Sequence, residues 1–232
     1  MCDAKQTMRG GWRRHDLLRV APNVWSLVLA HSRSAADLPL VQDWPHRGWP
    51  VIVRRRACAE DPCLVPVGLP LPPAHGKLRI ALLVPPNGIL QRSSPPLLLE
   101  AAASAHPGWK STIFSLLGLG DRIGVEPTAF GSLMWQHQTG LPYLSPTSDL
   151  DVLWPVPAGF DVRSLVSGIG DIQRDATLRI DGELVFPDGT AVNWRELWNA
   201  YKSDDYPKVL AKTMEGVRLL DLESLACVEQ YT

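Results

Sequence analysis

Asp149 and Asp151 stand one residue apart in "SPTSDLDVLWPV", residues 145–156, at the mouth of an apolar run. A strand alternates its side chains, so the two carboxylates share one face with Cα atoms roughly 6–7 Å apart. Like charges at that separation repel, and an apolar strand offers little water to screen them. Two arrangements relieve the repulsion: an exposed strand end, or a cation held between the acids. Upstream, Gly131-Ser132 in "TAFGS" forms a small turn through which backbone and hydroxyl can approach a triphosphate. Downstream, "RIDGE" supplies Asp181 as a third carboxylate, with Glu183 on the same strand face as its competitor. Together these are the parts of a phosphoryl-transfer site. Paired acids hold magnesium, which neutralises phosphate charge and activates the attacking oxygen, and the third acid accepts the nucleophile's proton. Arg195 in "NWREL" and Lys212 in "LAKTM" are cations able to neutralise triphosphate charge, Arg as a fork and Lys as a point charge.

The elements that must carry these residues read as α+β. "SDLDVLWPV" is a strand, and "TAFGS" a short strand ending in Gly131-Ser132. "FDVRSLVSGIGDIQRDA" has helical spacing at Val162, Leu165, Val166, Ile169 and Ile172, with Asp161 at its start, where an acid favours a helix N-terminus. "TLRIDGELVF" alternates as a strand, "PDGTAVNW" is a turn and short strand, and "WRELWNAY" is a helix. "KVLAKTMEGVRLL" is a hairpin around Glu215-Gly216. Further upstream, "LLLEAAASA" and "WKSTIFSLLGL" are helical, and "GLGDRIG" is the end of the second helix rather than a dinucleotide loop. Residues 1–90 hold short apolar runs, "VWSLVLA", "WPVIVRRR", "CLVPVGLPL" and "KLRIALLVP", which suggest a small β-rich domain. "PPNGILQRSSPP" marks the boundary to a catalytic domain over 91–232.

Sixteen residues separate Ser132 from Asp149, a longer gap than the compact GS-to-DxD spacing of the DNA polymerase beta-like nucleotidyltransferases, which the order GS, DxD, strand carboxylate otherwise resembles. The intervening segment sharpens the likeness. "FGSLMWQHQTGLPYLSPTSDLDVLW" resembles the malonate decarboxylase holo-acyl-carrier-protein synthases, also called phosphoribosyl-dephospho-CoA transferases, with their WQ, TGL and YL between GS and the aspartates. "RIDGELVFPDGTAVNWREL" and "VLAKTMEGVRLL" match that family too, and "RRHDLL" is a fainter echo. The resemblance implies a nucleotidyltransferase-like mixed sheet flanked by helices, with magnesium, as two ions, on Asp149, Asp151 and Asp181. It implies that Gly131 and Ser132 contact phosphate. The implied substrate is triphosphoribosyl-dephospho-CoA, and the implied acceptor is a serine of the malonate decarboxylase acyl-carrier subunit, with pyrophosphate leaving. Two other readings stand beside it: a nucleotidyltransferase with another acceptor, either a citrate lyase-type carrier or the target of an adenylyl transfer, and a catalytically silent nucleotidyltransferase-like binding module.

Composition sets the outer bounds. The chain has 232 residues, 45% apolar and 20% charged, with 21 prolines, as in a folded protein rich in turns and loops. No run reaches the ~20 apolar residues of a membrane span, and the first twenty residues lack a signal-peptide core. Cys2, Cys58, Cys63 and Cys227 match no zinc pattern and read as reduced thiols of a cytoplasmic protein. Residues 1–120 carry 14 Lys/Arg against 7 Asp/Glu, and residues 121–232 carry 9 against 17. The basic clusters, Arg13-Arg14 and Arg54-Arg55-Arg56, suit phosphates or an acidic carrier, or a solvated loop; neither a nucleic acid nor a membrane partner is expected. His137 is a candidate for deprotonating the incoming serine, set against a local hydrogen bond. His15-Asp16 has no visible nucleophile beside it in the sequence. Trp135, Trp154, Trp194 and Trp198 read as core or site-wall residues.

Overall fold

The computed structural model describes residues 11–30, 37–203, 207–222, 224 and 225; Cys2 and Cys227 lie outside them. The chain divides into two units, Met1–Ser94 and Pro95–Thr232.

The first unit is built on an antiparallel five-stranded sheet of β1 (Leu17–Val20), β2 (Val51–Val53), β3 (Val65–Pro70), β4 (Arg79–Val84) and β5 (Ile89–Ser93), in the order β4-β3-β2-β1-β5. Alternation makes these strands. Val65, Val67 and Leu69 of β3 and Ile80, Leu82 and Val84 of β4 are buried, and Val67 lies opposite Leu82 in the register. One apolar run departs from the strand reading. "VWSLVLA" belongs to helix α1 (Pro22–Ala30), with Trp25, Val28 and Leu29 buried; that i, i+3, i+4 spacing makes one helical stripe, and Pro22 suits a first turn. A second correction concerns "PPNGILQRSSPP". Its centre is β5, paired antiparallel with β1, so the passage between units narrows to the residues around Ser94 and Pro95. The arginine triplet is mostly structural. Arg54 donates Nε to the Val67 carbonyl at 3.1 Å and pairs with Glu60, while Arg56 donates to the Leu64 carbonyl at 2.7 Å. Arg55 is exposed.

The second unit carries the predicted mixed sheet. Its strands are β6 (Thr128–Ala129), β7 (Leu150–Pro155), β8 (Ile180–Val185), β9 (Ala191–Asn193), β10 (Lys208–Lys212) and β11 (Val217–Asp221), ordered β11-β10-β9-β8-β7-β6. Among the described residues only β7 and β8 pair in parallel, and the crossover between them is helix α6 (Val162–Asp175), as parallel neighbours require. The helices before it are α2 (Pro39–Gln42), in the first unit, then α3 (Leu98–Ala101), α4 (Lys110–Ile123) and α5 (Gly131–Thr139); α7 (Trp194–Ala200) follows. Asp161 caps α6 through its carboxylate and the Ser164 N–H at 3.0 Å, and Val162, Leu165, Val166 and Ile169 form its buried stripe. Gly124, at φ +74°, closes α4 in the left-handed conformation, so "GLGDRIG" is a helix end. Leu150, Val152 and Trp154 of β7 alternate into the core, each 0% exposed. Asp149, Asp151 and Leu153 therefore belong to the other face of that strand. Among the described residues no helix is long and apolar enough to cross a membrane.

Candidate active site

Three backbone devices gather the acids. The first is the parallel register of β7 and β8, which sets Asp151 directly beside Asp181. Adjacent strands lie about 4.8 Å apart, so the two carboxylates leave neighbouring strands on one face. The second is Gly182, at φ +142°. A Cβ there would fall 1.8 Å from the Val152 carbonyl oxygen, so "IDG" contains the glycine that lets β8 lie against β7 beside Asp181. The third is Gly131. It begins α5 rather than ending a strand, as the sequence suggested, because β6 stops at Ala129 and the Phe130 N–H donates to the Asp151 carbonyl at 3.0 Å. Gly131 has φ +56°, and a Cβ on it would lie 1.9 Å from Asp151 Oδ2. Only glycine fits both that torsion and that contact. Ser132 follows in the same first turn.

Asp149 sits just before β7, at the end of a hydrogen-bonded turn. Ser148 Oγ accepts from the Ser145 N–H at 2.9 Å, and the Ser148 N–H donates to the Ser145 carbonyl at 3.0 Å. The segment leading there is held by the WQ, TGL and YL residues. Gln136 Oε1 accepts from the Tyr143 and Leu144 N–H groups, both at 3.1 Å, while its amide donates to the Ser104 carbonyl at 2.7 Å. Trp135 and Tyr143 stack with centroids 6.2 Å apart, and burial pushes the Tyr143 hydroxyl far above its usual pKa. Gly140 is the left-handed cap of α5. The insert is thus the fastener that returns the chain from the Gly131 turn to Asp149.

Arg179, which sequence reasoning passed over as one polar residue of an alternating strand, stands among the acids. Its Nε lies 3.6 Å from Asp149 Oδ2 and its Nη2 3.8 Å from Asp181 Oδ2. Asp181 is further fixed at Oδ1, which accepts from the Gly182 N–H and from Asn193 Nδ2, each at 2.8 Å. Glu183, the competing third carboxylate, is buried and already neutralised by Lys212 Nζ at 2.6 Å. Lys212 is thus bonded to Glu183, while Asp181 is the acid in register with Asp151. Arg195, in the first turn of α7, donates from Nη2 to Gln173 Oε1 at 2.6 Å and to the Ile180 carbonyl at 2.7 Å, and lies 4.4 Å over the Trp194 ring. Burial lowers its pKa, and so does Arg179; Asp181 and Asp149 act the other way. Its charge therefore sits within reach of both aspartates, while its buried Nε has no partner.

The remaining candidates fall elsewhere. His137 Nδ1 lies 3.4 Å from Ser104 Oγ, 33 residues earlier in the chain. Asp16 is buried and ion-paired with Arg92 at 2.7 Å, in the first unit. Trp154 and Trp194 are fully buried, and Trp198 packs on Trp194.

Among the described residues no set of three or more His, Cys, Asp or Glu is gathered to hold a metal ion by protein groups alone. A small hard cation does not need such a cage. Magnesium is commonly bound by one or two carboxylates together with substrate phosphates. Register-paired Asp151 and Asp181, with Asp149 met by a guanidinium, fit that mode of binding.

Residues 97–223 match the family model described as "Phosphoribosyl-dephospho-CoA transferase MdcG C-terminal domain". Residues 13–95 match the corresponding N-terminal domain model. The chain belongs to the phosphoribosyl-dephospho-CoA transferase family. It is a transferase by that membership. A phosphoribosyl-dephospho-CoA transferase from Bradyrhizobium diazoefficiens is 42% identical over 209 residues, covering 90% of this chain and 89% of that protein. One from Xanthomonas campestris pv. campestris is 40% identical over 188 residues, covering 81% and 85%. No solved structure matches the chain. The two family segments meet close to the junction between the two units.

Proposed function

We propose that this transferase moves the phosphoribosyl-dephospho-CoA group from triphosphoribosyl-dephospho-CoA to a serine of the malonate decarboxylase acyl-carrier subunit. The supporting observation is the parallel pairing of Asp151 with Asp181, with Gly131 pressed against the Asp151 carboxylate. The serine oxygen bonds to the α-phosphorus, the bond from that phosphorus to the bridging oxygen breaks, and pyrophosphate leaves with the bridging oxygen. The serine proton passes to Asp181 Oδ2, the oxygen that Gly182 and Asn193 do not engage. Asp149, Asp151 and Asp181 would hold magnesium, one ion or a pair, which when bound neutralises triphosphate charge and polarises the reacting phosphate. Gly131 and Ser132 approach the phosphates through the α5 first turn, and Arg179 turns from the acids toward the incoming anion. Arg195 contributes positive potential rather than direct bonds, since its Nη2 is already engaged. Such a reaction depends on positioning and electrostatics more than on covalent work by the protein. The first unit docks the dephospho-CoA portion or the carrier, and the protein acts in the cytoplasm.

Incubation with magnesium, triphosphoribosyl-dephospho-CoA and the carrier subunit tests this reading by mass spectrometry. The carrier should gain one prosthetic group with release of pyrophosphate. Asp149→Asn should slow the transfer about 10²-fold or more while the protein stays folded. Pyrophosphate release from ATP alone would overturn the choice of substrate, and exclusive modification of a citrate lyase carrier would overturn the acceptor.

A further inference from the structure

Asn193 ends β9 and serves two neighbours at once. Its Oδ1 accepts from the Arg195 N–H at 2.9 Å and so caps α7. Its Nδ2 donates to Asp181 Oδ1 at 2.8 Å. With the Gly182 N–H on the same oxygen at 2.8 Å, the Asp181 carboxyl is held by two donors at Oδ1. Its other oxygen, Oδ2, is the one on the side of Arg179 and Asp149. A carboxamide has an acceptor and a donor on one planar group, and here each is directed at a different part of the site. We propose that Asn193 is a positioning residue: it keeps Asp181 Oδ2 turned to the cation site and fixes the start of the helix bearing Arg195. This rests on the reading of Asp181 as a cation- and phosphate-facing carboxylate.

The alternatives at this position separate the two duties. Serine is an equally good helix cap but too short to reach Asp181 while it caps α7. Alanine supplies neither contact. Binding of Mn²⁺ in the presence of triphosphoribosyl-dephospho-CoA and without the carrier, read by enhanced water-proton relaxation, reports the Asp181 duty, and thermal unfolding reports the cap. Asn193→Ser should unfold at the wild-type temperature yet bind Mn²⁺ about 10-fold more weakly, the usual consequence of losing a partner that orients a ligand. Asn193→Ala should show the same weakening and also unfold at lower temperature. Wild-type Mn²⁺ affinity in Asn193→Ser, beside weakened binding in Asp181→Asn, would overturn the positioning role and leave the site reading intact. Unchanged binding in Asp181→Asn itself would overturn the site reading and the inference with it.

Discussion

Gly131 and Lys212 show how differently two residues of one motif set can act. Gly131 gives room: its torsion and its contact with Asp151 both exclude a side chain. Gly131→Ala should therefore displace the Asp151 carboxylate and abolish transfer in the carrier-modification assay, while circular dichroism shows the secondary structure retained. Lys212 looks like a phosphate ligand in the sequence, yet its ammonium is bonded to a buried carboxylate. Lys212→Met should leave Glu183 without its counter-charge and cost about 1–3 kcal/mol of stability in a denaturant titration. Adding Glu183→Gln should restore part of that loss, because the two sites are directly coupled. A loss of activity in Lys212→Met with unaltered stability would return it to the substrate.

Helix α6 is the crossover that makes β7 and β8 parallel, so its integrity sets the Asp151–Asp181 pairing. Its first turn depends on Asp161, whose carboxylate accepts from the Ser164 hydroxyl and N–H. These bonds lower the Asp161 pKa in the folded chain below its ordinary 3.8. The capping contribution is therefore fully present above the unfolded value and fades as pH falls through the lowered folded one. Asp161→Ala should cost about 1 kcal/mol at neutral pH. The difference from wild type should shrink in denaturant titrations carried into that acid range. A difference that persists unchanged in acid would show that the carboxylate is not what holds this helix start.

Every aspartate, glycine and arginine of the proposed site belongs to residues 95–232, and so does every strand of the mixed sheet. A chain of those residues should fold cooperatively and bind Mn²⁺ as the full protein does. The carrier reaction should instead show a raised KM for the CoA derivative or the carrier, because the first unit is missing. Equal KM values for both would remove the docking role assigned to that unit. The arginine triplet gives little support for a broad basic surface there, since Arg54 and Arg56 hold the loop that follows them.

What could be read from the residues was what local chemistry dictates. The helical spacing after Asp161, the alternation of "TLRIDGELVF", the hairpin turn at Glu215-Gly216 and the Asp149/Asp151 pair all follow from side-chain period and turn preference, and the family likeness carried the reaction. "VWSLVLA" escaped because a short apolar run fits a buried strand as well as a helical stripe. β5 escaped because Pro and Gly flank a strand that exists only by pairing with β1. The choice between Asp181 and Glu183 was closed to sequence, since both share a strand face. Folding sets the two apart: it brings Lys212 of β10, 29 residues on, across to Glu183, and it sets β8 in the register that puts Asp181 beside Asp151. Arg179 and Asn193 were hidden for the same reason. Their contacts with the acids are made only where long-range strand pairing brings the partners within a few ångströms.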